Sequence, residues 1–432
     1  TISTTDIADD AITAAKIANS INTDIGTGVT ANTTANNALP KAGGTMTGDL
    51  TVTNATATGV LSDPSGNVRA GRKNLIINGA MNVAQRVGTT STVANNYGAT
   101  PDRIRQEAYG GATASWQQVT DAPVGFKNSL KVTCAGTALP SAGNTLRLMT
   151  GLEGQDIAHL EYGTAQAKNA TLSFYVKASE TGIYSTALVN IAPSGNIASN
   201  VNRSHIKTYT IDSANTWEYK TLTFSGCPDG TWGSSNSNGI TIVFDLGSGS
   251  NHQGAKDSWL TTSDTFAAGQ VSLGDSNGGS WQMTGLQFEL GSVATDFEHL
   301  SYAEQLRLCY RYFYKPTYEN GTYARFNFHY EPSAWIGLEI NFPVSMRANA
   351  TFSHSLTNAK NKGASPTSSE DKWCYYIQNT GFRGNAGGGD ISNLSGGGVT
   401  HGQCGVASHS PDAHASHIFI GGGCTFQFDA EL

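Results

Sequence analysis

Apolar residues recur along this chain with two different periods, and the change between them divides it. Near the start, Ile7, Ala11, Ala14, Ala18, Ile21 and Ile25 step by alternating fours and threes. That spacing is the a/d seam of a short coiled coil, with Asp6 placed to cap its first turn. A second pattern overlaps it: Ile2, Ile7, Ile12 and Ile17 recur every fifth residue, which suits neither one helical face nor strand alternation. Either pattern is too short to be stable in one chain, so copies must associate, and isoleucine at core positions leans toward trimers. The run of Thr, Asn and Gly from Gly26 to Asn37 keeps a disordered tether open as the other reading.

Further on, the period becomes two. Alternating runs at Ala114 to Val119, Ser129 to Cys134, Thr171 to Lys177, Ile183 to Val189, His205 to Ile211, Trp217 to Phe224 and Ile240 to Leu246 predict strands joined by Gly, Asn and Ser turns. Many short strands so spaced read as a two-sheet sandwich of jelly-roll type. Trp116 and Trp217 alternate with polar neighbours and are expected in its core. Ser301-Tyr302-Ala303-Glu304 is a capping box, and Ala303, Leu306, Tyr310 and Phe313 predict one apolar face of a short helix ending before Pro316. Beyond it, further strands are predicted at Tyr323 to Tyr330, Ile336 to Phe342, Ala350 to Ser355, Trp373 to Gln378 and Phe426 to Asp429. The expected architecture is mainly β: a trimeric fibrous shaft over 1–73, a jelly-roll-like sandwich over 74–300, a helical linker over 301–315 and a β-rich tip over 316–432.

Composition supports the strand reading. Of 432 residues only 14% are charged, 38% are hydrophobic and 50 are glycine, a profile foreign both to helical enzymes and to disordered chains. A net charge of −7 without a Lys/Arg cluster offers a phosphate backbone nothing to hold, so nucleic acid is not an expected partner. No apolar run reaches the ~20 residues of a membrane-spanning helix, and no signal peptide opens the chain. Membrane insertion is not expected. The first residue is Thr1 and not Met, so an upstream piece is expected to be missing. Cys134, Cys227, Cys309, Cys374, Cys404 and Cys424 form no CxxC pair and are expected as buried free thiols of a chain folded in a reducing cytoplasm.

Three strings carry a resemblance. Pro40-Lys41-Ala42-Gly43-Gly44-Thr45-Met46-Thr47-Gly48-Asp49-Leu50 (PKAGGTMTGDL) resembles the short repeat in the shafts of bacteriophage tail fibres. Physically, Gly43-Gly44 makes a tight turn and Thr45 to Val52 a strand with Met46, Leu50 and Val52 on one side. One strand cannot bury that side, whereas three copies around an axis can. Asn74 to Arg86 (NLIINGAMNVAQR) and Trp281 to Gly291 (WQMTGLQFELG), followed by Ala294 to Glu298, resemble the opening and close of the head domain in phage fibre proteins. Ala303 to Lys315, Asn341 to Ala348 and the terminal Asp429-Ala430-Glu431-Leu432 also look like fibre strings. The resemblance implies a homotrimeric receptor-binding protein of the virion, made in the host cytoplasm, attached to the phage tail or an adaptor through its N-terminal side, and binding a host surface polysaccharide such as lipopolysaccharide without catalysis. Two alternatives stay open: a capsule-depolymerising tailspike, and a structural fibre segment without receptor contact.

A sugar needs an exposed ring for its C–H face and short polar side chains for its hydroxyls. Trp232 and Trp259, set in Ser/Asn-rich loops, supply both, although each ring can equally cover the core. In the expected tip, Trp373, Tyr375, Tyr376 and Phe382 lie beside glycine-rich stretches and are the other candidates. His401, His409, His414 and His417, near Cys404, Asp390 and Asp412, are weak candidates for a metal ion held at a threefold axis; no other cofactor is expected. For hydrolysis, two paired carboxylates are required and cannot be matched from sequence, and no β-helix repeat is visible. The Gly-Asp-Ser string at 274–276 lacks a GxSxG elbow or a placed histidine and reads as a turn.

Overall fold

A computed structural model describes residues 72–86, 101–110, 113–135, 141–190, 203–275, 277–316, 335–354 and 426–431, together with the strands at 324–326, 328–331, 373–377, 381–383, 391–392, 401–407 and 415–420. The chain divides into two units, Thr1–Leu61 and Ser62–Leu432. The coiled-coil seam and the PKAGGTMTGDL strand lie outside the described residues.

Residues 105–290 form a jelly-roll-like β-sandwich of eleven antiparallel strands. Its six-stranded sheet contains β1 (Arg105–Tyr109), β4 (Thr145–Glu153), β6 (Gly182–Val189), β7 (Ser204–Ile211), β9 (Asn238–Asp245) and β10 (Trp259–Leu260), in the order β1-β4-β9-β6-β7-β10. The five-stranded sheet contains β2 (Ala114–Val119), β3 (Ser129–Cys134), β5 (Ala170–Ala178), β8 (Glu218–Phe224) and β11 (Ser280–Leu290), in the order β2-β3-β11-β5-β8. Period-two alternation dictates the layering: Leu172, Phe174 and Val176 of β5 and Trp281, Met283 and Phe288 of β11 point into one core with Leu148, Ile242 and Phe244 of the facing sheet. The outer face of the six-stranded sheet carries a second cluster, Met149, Ala187, Val189, Ile206 and Val243, covered by Ala267 and Leu260. Strand β4, clothed on both faces, is buried along its whole length.

Helix α1 (Tyr302–Tyr310) starts at the expected capping box, Ser301 and Glu304 each bonding the other's backbone N–H. Its buried face differs from the expected one. Gln305 and Cys309 are inside, while Ala303 is exposed and Leu306 and Tyr310 are half-buried; Phe313, the fourth residue of the expected face, is buried but lies beyond the helix, in a strand. Tertiary bonding decides this, because the Gln305 amide oxygen accepts from the Asn78 N–H (2.9 Å), which fixes the helix rotation. The expected linker also contains a strand. β12 (Phe313–Tyr314) joins β16 (Thr351–His354) and β22 (Phe426–Asp429) in the order β12-β22-β16, so the C-terminal residues return to a position beside the sandwich. Two four-stranded sheets complete the chain: β13 (Ala324–Phe326), β21 (Ala415–Ile420), β17 (Trp373–Ile377) and β18 (Gly381–Arg383); and β14 (Phe328–Glu331), β15 (Trp335–Asn341), β20 (His401–Ala407) and β19 (Ile391–Ser392).

Residues 74–86, with Arg103 and Arg311, fasten these parts. Asn74 binds β11, its Nδ2 donating to the Leu286 carbonyl (3.0 Å) and its Oδ1 accepting from the Phe288 N–H (3.1 Å). Asn78 adopts a left-handed φ of 61° and bonds the Val83 and Asp102 carbonyls through Nδ2. A Cβ on Gly79 would fall 2.0 Å from the Leu286 oxygen, so no other residue fits there. Arg86 lies 3.8 Å over the Phe313 ring and pairs with Asp429 (3.0 Å) and Glu431 (3.3 Å). Arg103 also pairs with Glu431, and Arg311 grips Glu153 with two hydrogen bonds of 2.6 and 2.7 Å.

Candidate functional site

The outer face of the five-stranded sheet is polar, as period-two alternation requires once the other face is in the core. It is also lined with rings. Tyr175 of β5 and Tyr219 of β8 are direct cross-strand partners, with ring centroids 4.9 Å apart. Phe126 follows at 5.5 Å from Tyr175, and Phe297 and His299 lie 5.0 and 5.1 Å from Phe126. Tyr219 is 47% exposed and Tyr175 half-buried. The rings line a cleft of about 600 Å³, completed by Thr221, Thr295, Asp296 and the exposed Val124 and Val293.

This row is held by the sheet beneath it. Strand β11 carries an irregularity between Thr284 and Gln287, and Gly285 within it has φ +63°. A Cβ there would fall 2.7 Å from Phe126 Cζ and 3.1 Å from Tyr175 Cδ2, so the glycine both allows the bulge and seats the two rings. Gln287 and Glu289 reach outward and fix the loop that carries Phe297. The Gln287 amide donates to the Thr295 carbonyl (3.1 Å), its oxygen accepts from the Glu298 N–H (2.9 Å), and Glu289 accepts from the Thr295 N–H and hydroxyl (2.9 and 2.7 Å). Gly285→Ala is expected to displace the rings and weaken any ligand they hold by roughly tenfold, while β-strand content is retained. Titration calorimetry beside circular dichroism measures both.

Trp217, expected in the core, is instead half-buried outside it. The Lys177 ammonium lies 5.1 Å over its ring, and its indole N–H donates to Asp121 (3.4 Å). It precedes β8, so the alternation used to place it does not apply. Lys177 also binds Asp121 directly and holds that carboxyl below its usual range. Trp116 is fully buried, as expected.

The two tryptophans singled out from sequence do come together. Trp232 and Trp259 meet edge to face at 5.5 Å, both against Tyr162 and the edge of the main core, and both half-buried. Their N–H groups donate to the Asp229 (3.0 Å) and Ser225 (2.9 Å) carbonyls. His205 packs against Trp259, and burial pushes its imidazole pKa down to about 4. In the C-terminal sheets the backbone pairs Tyr376 with Phe382 and with His417, while Trp373 and Tyr375 share β17. His401 opens β20 opposite Asn341; His409 and His414 fall outside the described residues. Among the described residues no group of three His, Cys, Asp or Glu is arranged to hold a metal ion. Cys134, Cys227 and Cys309 are buried free thiols, and burial pushes Cys134 up to about 12 and Cys227 up to about 11.

A second depression of about 710 Å³ lies beside α1, floored by Ile77, Leu308 and Val344 and rimmed by Arg72, Arg307, Asp156 and Glu304. Its one aromatic, Tyr312, is 1% exposed and offers no ring face to a ligand.

Neither a protein family nor a curated protein matches the chain. Among solved structures, it is similar to the enzymatically active domain of tailspike protein 4 of bacteriophage CBA120, at 15% identity over 50% of this chain, with a TM-score of 0.26. The match spans 21% of that tailspike chain. It is also similar to a family 11 carbohydrate-binding module of Clostridium thermocellum, at 11% identity over 49% of this chain and 100% of that one, TM-score 0.24. A third similar structure is a putative sugar binding protein of Bacteroides thetaiotaomicron, at 14% identity over 51% of this chain and 100% of that one, TM-score 0.26.

Proposed function

We propose that this chain is a receptor-binding fibre protein of a bacteriophage that holds a host surface glycan, without cleaving it, in the cleft on the five-stranded sheet. The observation that carries the reading is the continuous row Tyr219, Tyr175, Phe126, Phe297 and His299 across a polar sheet face. Ring faces take the C–H faces of sugars, and the hydroxyl and carboxylate groups of Thr221 and Asp296 suit their rims. Among the described residues lining the cleft, Asp296 is the single carboxylate, whereas glycoside hydrolysis ordinarily uses two. The strings resembling phage fibres support a homotrimer on the virion, joined to the tail through its N-terminal side, whose three clefts add avidity.

The test is retention of the full chain on purified surface polysaccharide. Tyr175→Ala is expected to weaken retention at least about tenfold, as removal of a central aromatic anchor does, and Tyr175→Phe to keep it. Retention that ignores Tyr175 but collapses in Trp232→Ala would move the site to the other end of the sandwich. Release of oligosaccharides during the assay would make the protein a depolymerase.

A further inference from the structure

We infer that the sheet cleft selects uncharged glycans and turns away those bearing carboxylate, phosphate or sulfate groups. The inference rests on the glycan reading above and narrows it to a ligand class. Recognition of an acidic sugar needs a cation free to meet it, preferably the bidentate fork of arginine. Among the described residues lining the cleft there is neither lysine nor arginine, and the exposed Asp296 is one of them.

Three lysines next to the cleft are occupied, and a fourth, Lys127 beside Phe126, is exposed but does not line it. Lys177, two residues from Tyr175, is bound to Asp121. Lys220, beside Tyr219, bridges Glu218 (2.6 Å) and Asp212 (3.3 Å). Lys73 is turned to the Thr295 hydroxyl (2.7 Å) and the Asp296 carbonyl (2.5 Å). To serve an anionic sugar, any of these three must first give up its partners, and the ligand's charge would still face Asp296. A neutral sugar meets no such opposition. Its hydroxyls donate to the Asp296 carboxylate, and its C–H faces lie on Tyr175 and Tyr219.

The experiment is an array of neutral and acidic surface polysaccharides probed with the full chain and with Tyr175→Ala. It is run at pH 8, so that imidazole charge plays no part, and at low and high salt. The expected result is that the glycans lost in Tyr175→Ala are all uncharged. Their binding should change by less than about twofold between roughly 0.01 and 1 M salt, over which the Debye length falls from about 30 to about 3 Å. Acidic glycans bound in a Tyr175-dependent, salt-sensitive way would overturn the charge selection while leaving the cleft as the binding site. If no glycan on the array depends on Tyr175, the glycan reading of the cleft fails, and this inference with it.

Discussion

Replacing Glu153 with glutamine is expected to lower the stability of the junction between sandwich and C-terminal sheet by about 2 kcal/mol, since a buried carboxylate loses its charged hydrogen bonds while Arg311, 30% exposed, keeps part of its hydration. Glu153 is fully buried at the end of β4. Arg311 binds both of its oxygens, and the Tyr312 hydroxyl donates to it at 2.6 Å. Glutamine keeps the shape and one acceptor but leaves the guanidinium without its counter-charge. Arg311 belongs to the turn after α1, and its neighbour Tyr312 lies under Arg103, which pairs with Glu431. Loosening should therefore extend from residue 311 to the C-terminal strand. Hydrogen exchange should rise in α1, β12 and β22 while β5 and β11 stay protected. The double variant Glu153→Gln with Arg311→Met should recover part of the loss, because removing both charges leaves neither stranded. Unchanged exchange in the single variant would show that the pair does not hold the junction.

The second large effect is in the core. Trp281→Ala is expected to cost about 3–5 kcal/mol, through lost burial and the cavity left between the sheets. Trp281 is completely buried, sits 5.5 Å from Phe244 of the facing sheet and donates its N–H to the Tyr209 hydroxyl at 3.1 Å. Alanine would leave that hydroxyl buried without its partner. Trp281→Phe also loses this hydrogen bond, worth about 1 kcal/mol, but retains most of the apolar contact and should cost less than alanine. Urea denaturation followed by circular dichroism gives both values. A loss below about 1 kcal/mol in Trp281→Ala would mean that the sandwich collapses around the gap.

Strands with clean alternation were legible from residue types. The expected bounds at 114–119, 129–134 and 426–429 coincide with β2, β3 and β22. Strands β1 and β4 were not foreseen, since Arg105, Glu107, Arg147 and Glu153 interrupt their apolar pattern. Those charges are tolerated because each finds a partner, Glu107 with Arg147 across the sheet at 2.5 Å and with Arg105 at 2.9 Å, and Glu153 with Arg311 beyond it, and a sequence window cannot see the distant partners. The same blindness applied to α1. Its sequence face, Ala303, Leu306, Tyr310 and Phe313, obeyed helical spacing, but the helix stops at Tyr310 and a long-range bond from Asn78 turned Gln305 inward instead.

The candidate site divides along the same line. Tyr175 and Tyr219 lie in strands the alternation predicts, yet nothing local distinguishes an outward tyrosine at a ligand cleft from one merely solvated. What makes them a row is the antiparallel register that pairs them, and the left-handed glycine that lets Phe126 lie alongside. By itself, the sequence determined that this protein is built largely of short strands whose alternating residues place at least one face in a core, because a period of two sends successive side chains to opposite faces. It also determined where α1 starts, because a capping box is satisfied by residues three apart. Which rings meet, which carboxylates find arginines and which side of the helix is covered were decided only in the tertiary structure. Those choices depend on groups far apart in the sequence, such as Glu153 and Arg311, whose energies exist only once the chain has brought them together.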